Sequence, residues 1–198
     1  MSAIVERSSR STNALPGFTR ADEDERRAHS IGCHVARTVP ALRNTMFSKQ
    51  QNQPLSQPGA PMYDPVMVQP MREEVTRVGV TELKTSVEVD AAVKKPGVTL
   101  IFVNSVCGCA AAGARPGLTL SLRHKHRPAN LFSVFAGMER EAVARAREYF
   151  KPYQPSSPQI ALMKDGKMLK MWQRHDIEGR DPQTIAQSLT MAFDEFCK

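Results

Sequence analysis

The chain has 198 residues, 41% apolar and 24% charged, which is ordinary for a globular protein and enough for one domain with a sizeable core. No apolar run approaches the roughly 20 residues that a membrane-spanning helix needs, so no membrane partner is expected. The net charge of +7 is spread along the chain. It forms no basic stripe interleaved with aromatics, so no nucleic-acid partner is expected either.

Residues 1–61 are rich in Ser, Arg, Gln, Pro and Asn and show little apolar periodicity. Residues 50–59 form a polar low-complexity linker by composition. This part reads as a disordered extension with at most a short helix near 22–37. Residues 1–20 lack the apolar segment of a secretory leader, and an acidic run follows at 22–25. The composition becomes domain-like at Met62, which reads as a second possible start, and one domain is expected over 62–198.

Apolar spacing at Met71, Val75 and Val78 predicts a helix over 71–78. Thr85 or Ser86 caps a helix that runs to Lys94, with Val89 and Val93 on one face. Pro96-Gly97 then turns the chain into a continuous apolar strand over 98–103. A helix over 110–125 follows, with Ala114, Leu118 and Leu122 on one face and a kink expected at Pro116. Residues 131–135 read as a second strand, and 139–150 as a helix facing inward through Val143, Ala146 and Phe150. Residues 159–163 and 168–172 read as strands joined by a hairpin at 164–167. Asp181-Pro182 starts a last helix, with Ile185, Leu189, Phe193 and Phe196 on its apolar face. Trp172 and Tyr153 read as packing residues.

Four cysteines, Cys33, Cys107, Cys109 and Cys197, are too few for a disulfide-stapled secreted domain. A cytoplasmic location is expected, with any close pair cycling rather than held oxidised. Cys33 and Cys197 read as incidental thiols. Cys107-Gly108-Cys109 lies between the apolar strand and the Ala-rich helix start. That position activates a thiol, because helix N–H groups and the helix dipole stabilise the thiolate. Cys107, nearest the junction, reads as the attacking cysteine. A disulfide across one intervening residue closes a tight ring, and Gly108 widens the allowed backbone angles. Asn104 and Ser105 are candidates to hydrogen-bond the site, and Arg115 is a candidate to favour a thiolate or a carboxylate ligand. No metal is expected: a closed zinc site wants four ligands, and His124, His126 and His175 have no zinc-finger spacing and read as solvent-facing.

Five separated motifs fall in one order: Met62-Tyr63-Asp64-Pro65, the stretch 104–110, Gly113-Ala114-Arg115-Pro116, Pro155-Ser156-Ser157-Pro158 and His175-Asp176-Ile177-Glu178-Gly179. Together they resemble the bacilliredoxin family, thioredoxin-like proteins with a Cys-Gly-Cys site. The resemblance covers residues 62–198. It implies an α/β thioredoxin-like fold, a central mixed sheet flanked by helices. It implies a thiol–disulfide oxidoreductase that removes bacillithiol, a low-molecular-weight bacterial thiol, from mixed disulfides on client proteins. Bacillithiol would be a co-substrate, with no bound cofactor. Cys107 would take the small thiol and Cys109 would expel it. Pro158 would follow a cis bond and face the dithiol, leaving the Ser157 backbone free to pair with a client. A general disulfide oxidoreductase or isomerase remains an alternative, as does a non-enzymatic module that binds metal or a partner through the loop.

Overall fold

The computed structural model describes residues 60–198. The expected disordered extension, the short helix near 22–37 and Cys33 therefore lie outside the described residues, apart from Ala60 and Pro61. Asp64 caps α1 (Pro65–Thr76), its carboxylate accepting the Val66 N–H at 2.8 Å, and Pro65 occupies the first helical position. The helix begins before the expected 71–78 because Asp64 and Pro65 start it there, and Pro70, a residue that ordinarily marks a boundary, sits inside it. Next come β1 (Thr81–Glu82), α2 (Ser86–Val93) and β2 (Val98–Asn104). Thr85, one of the two expected caps, starts α2, and Glu88 closes a reciprocal capping box with it that the sequence reading does not name.

The single helix expected over 110–125 is two structures. A π-helical turn, Ala110–Ala114, passes into α3 (Arg115–Ser121). Pro116 is thereby the second residue of α3, where a missing N–H matters least. After α3 come β3 (Asn130–Phe135), α4 (Arg140–Tyr149), β4 (Gln159–Lys164), β5 (Lys167–Trp172), the one-turn α5 (Arg174–Ile177) and α6 (Pro182–Phe196). Asp165 and Gly166 join β4 to β5 with φ of 50° and 76°, the positive values that a two-residue hairpin requires.

The strands run in the order β1-β3-β2-β4-β5. β1, β3 and β2 are parallel, while β4 and β5 are antiparallel additions. This is the thioredoxin-like arrangement. β2 lies at its centre, and all seven of its residues are buried. The strand period of two sends Leu100 and Phe102 to one side of the sheet, against Leu118, Ile185, Leu189 and Phe193. Ile101 and Val103 go to the other side, against Val89, Val143, Ala146 and Phe150. Each such side chain contributes about 1.5–3 kcal/mol on burial. A side chain at Gly117 would place its Cβ 2.7 Å from the Ile185 methyl Cγ2, so the glycine sets how closely α3 approaches α6. Trp172 is buried, as expected, with its indole N–H donating to Ser188 Oγ at 2.9 Å, whereas Tyr153 is exposed. No helix among the described residues is long and apolar enough to cross a membrane.

Candidate active site

The site begins where β2 leaves the middle of the sheet. Asn104, its last residue, uses both ends of its amide. Oδ1 accepts the Ser105 N–H at 2.8 Å, and Nδ2 donates to the Met71 carbonyl of α1 at 3.1 Å. Arg115 reaches the same turn from α3 and is 2% exposed. Its Nη1 donates to the Ser105 carbonyl at 3.0 Å and to Asn104 Oδ1 at 3.3 Å. Its Nε donates to the Glu74 carboxylate at 2.7 Å. These bonds hold the turn from behind, and the arginine whose charge lowers the Cys107 thiol is Arg174, not the expected Arg115.

The turn delivers a half-buried Cys107. Its sulfur lies 3.2 Å from Ser105 Oγ and 3.5 Å from the Cys109 sulfur. The Cys107 thiol also points at the Ser157 carbonyl, 3.9 Å away. Burial pushes the Cys107 thiol up. The Ser105 hydroxyl, the Ala110 N–H, the Cys109 thiol and the charge of Arg174 outweigh it, and the group sits below the ordinary thiol value. The helix start contributes through one N–H, and the Ser105 hydroxyl does more. Burial also pushes Cys109 up, reinforced by its hydrogen bond to Cys107, by the charge of Cys107 and by Glu178; Arg174 opposes them, and the net direction is upward. Two sulfurs 3.5 Å apart are thus pushed in opposite directions, Cys107 toward the thiolate and Cys109 toward the thiol.

Gly108 is exposed, and a Cβ added to it would meet nothing within 4 Å. Its φ is not among the positive ones. The backbone freedom read into Gly108 is therefore not in use in this dithiol form. The Ser157-Pro158 bond is cis, and so is Lys151-Pro152, which the sequence did not signal.

Two site residues escaped the sequence reading. Arg174 and Glu178, one turn apart on and just after α5, form an ion pair of 2.8 Å. Glu178 Oε1 lies 3.6 Å from the Cys109 sulfur. Their spacing of four residues, inside and next to a motif already singled out at 175–179, was the available signal. Arg174, Ile177, Glu178 and Arg180 line a cavity of about 410 Å³ that opens beside Cys109 and Gly113.

The histidines divide. His175 is exposed, as expected. His124 and His126 are half-buried and bond Asp194, so their reading as free solvent-facing residues is corrected. Burial pushes the Cys197 thiol up to about 11, in keeping with an unreactive group.

Residues 63–197 match the protein family described as Disulphide isomerase. A bacilliredoxin of Cytophaga hutchinsonii is 52% identical over 134 residues, which cover 68% of this chain and 99% of that protein. One from Geobacillus kaustophilus is 49% identical over 138 residues, covering 70% of this chain and 94% of the relative. One from Koribacter versatilis is 47% identical over 137 residues, covering 69% and 94%. Among solved structures, a mutant thioredoxin from Halobacterium salinarum aligns with a TM-score of 0.44 at 14% identity, over 61% of this chain and 93% of its own. The oxidised thioredoxin of Plasmodium falciparum aligns with a TM-score of 0.43 at 12% identity, over 61% and 100%.

Proposed function

This chain belongs to the bacilliredoxin family and is a thiol–disulfide oxidoreductase, and from that premise we propose that it removes bacillithiol from mixed disulfides on client proteins. The observation that carries this reading is the asymmetry of the dithiol: an acidified Cys107 in contact with a Cys109 kept protonated, 3.5 Å apart.

The Cys107 thiolate attacks the bacillithiol sulfur of the mixed disulfide. The client cysteine leaves as a thiolate and takes a proton from water. Bacillithiol is now joined to Cys107 by a new S–S bond. Cys109 then loses its proton and attacks the Cys107 sulfur, and bacillithiol leaves as a thiolate. The two sulfurs close from 3.5 Å to a bond of about 2.05 Å. Two electrons have passed from the cysteine pair to the mixed disulfide, and a thiol reductant must return two. Ser157 presents its backbone beside the attacking sulfur, where an extended client segment pairs with it. Arg174 and Arg180 give the cavity positive charge for an anionic small thiol, the role first read into Arg115. The reaction belongs in the cytoplasm, where disulfides are transient.

Intact mass spectrometry of a bacillithiolated model protein incubated with this chain tests the reading. The Cys109→Ser protein is expected to carry one bacillithiol on Cys107 while the client is freed. Cys107→Ser is expected to leave the client modified. Stripping by Cys107→Ser would reverse the two roles. Equal turnover of a glutathionylated client would replace the reading with a general disulfide oxidoreductase.

A further inference from the structure

Beyond the C-terminal end of α3, away from the turn that carries the cysteines, the chain builds a second cluster. His124 Nε2 lies 2.9 Å from Asp194 Oδ1, and His126 Nδ1 lies 2.7 Å from the same oxygen. The imidazoles stand nearly perpendicular, at 84°, with centroids 5.9 Å apart. One donor atom from each of the three residues falls within 4.8 Å of the others. Two imidazoles and one carboxylate are thus brought together from two elements, the segment after α3 and the last turns of α6.

The placement of Asp194 is informative by itself. The C-terminal end of a helix carries partial negative charge and favours cations, yet α6 (Pro182–Phe196) places a carboxylate there. A cation held against Asp194 would be favoured both by the carboxylate and by the end of the helix.

We propose that His124, His126 and Asp194 form a binding site for a divalent transition metal of the zinc class, with water in the fourth position. The donor set of two imidazoles and one carboxylate suits zinc, nickel or copper, whereas calcium and magnesium want oxygen alone. In a tetrahedral zinc site with bonds of about 2.0–2.1 Å, neighbouring donor atoms stand about 3.3 Å apart. The separations of 2.7 and 2.9 Å from Asp194 would open by about half an ångström, and the two imidazole nitrogens, within 4.8 Å of each other, would settle to the same spacing. Both imidazoles already bond the Asp194 carboxylate, so the three side chains are oriented toward one another. The metal would tie the segment after α3 to α6 and so stiffen one flank of the domain independently of the dithiol.

Zinc titration by calorimetry tests this on the full chain carrying Cys33→Ser, Cys107→Ser and Cys109→Ser, so that thiolates do not compete. One saturable equivalent is expected, weakened about tenfold or more by His124→Ala and by the nearly isosteric Asp194→Asn. Zinc should raise the thermal midpoint of the parent by a few degrees and leave that of the variants unmoved. Cobalt bound in place of zinc should give visible absorption of a four-coordinate site, without a thiolate charge-transfer band. Binding of equal strength in the His124→Ala/His126→Ala protein, or no saturable binding below about 1 mM, would overturn the assignment. Circular dichroism checks that the double variant folds; if it does not, Asp194→Asn decides.

Discussion

Two Arg–Glu pairs flank the dithiol, and they have nearly the same length. Arg115–Glu74 measures 2.7 Å and Arg174–Glu178 measures 2.8 Å. The first places a guanidinium that is 2% exposed behind the turn, where its remaining donors hold Ser105 and Asn104. The second is 45% and 55% exposed and lies in front, within reach of the sulfurs. Solvent decides what each does. The buried guanidinium of Arg115 shapes backbone, because its bonds to Ser105 and Asn104 have no water to compete with them, although its partner Glu74 is 45% exposed. The exposed pair adds little to stability, as surface pairs generally do, but it sets the charge that the sulfurs feel. Separation alone would not have told the two apart.

The largest effect that would test this contrast is at the buried guanidinium of Arg115. Arg115→Ala should lower unfolding stability by about 2–4 kcal/mol, because it strips donors from the Ser105 carbonyl and Asn104 and leaves a void beneath the turn. Urea unfolding measures it, and a change within about 0.5 kcal/mol would end the distinction. Arg115→Lys should recover little, since a single ammonium does not reproduce the fork.

At the exposed pair the effect should appear in reactivity and not in stability. Glu178→Gln removes a negative charge beside Cys109, so the Cys109 thiolate becomes easier to form and its pKa falls. At neutral pH a larger thiolate fraction should raise Cys109 alkylation several-fold. Arg174→Ala should act in the opposite sense on Cys107, raising its pKa and slowing its alkylation at any pH below the free-thiol value. Site-resolved alkylation from pH 5 to 10 measures both, with urea midpoints unchanged. A drop in stability at either position would make this pair an anchor like the other.

The smallest effect is expected between the two pairs. Gly108→Ala should leave the thermal midpoint within about 1 °C, because the added methyl meets nothing within 4 Å. A loss of several degrees would show that the glycine is in use in the dithiol form after all.

What could be read in the sequence was local. The apolar run of β2, the helix cap at Thr85, the Asp-Gly hairpin and the position of Cys107 each depend on neighbours a few residues away. What escaped depends on distant partners or on lengths below any period. β1 has two residues, too few to alternate. The π-helical turn carries the same small-residue pattern as an α-helix. Arg115 looks like a surface residue because charged side chains usually are, and its burial requires Glu74, 41 residues earlier. The histidines looked free because Asp194 lies 68 residues beyond His126.

The order of the strands bears on how such a protein avoids its own chemistry of attachment. If extended clients pair beside Ser157, the backbone there is left open to other chains, and a second open margin would recruit copies of the protein instead. The sheet ends in β1 and β5. β1 is too short to template a neighbour. β5 carries exposed Lys167 and Lys170 along the other margin, where two adjoining copies would bring ammonium groups together. Among the described residues both borders thus discourage strand-on-strand growth, which leaves the backbone beside the sulfur as the margin where an extended client would add.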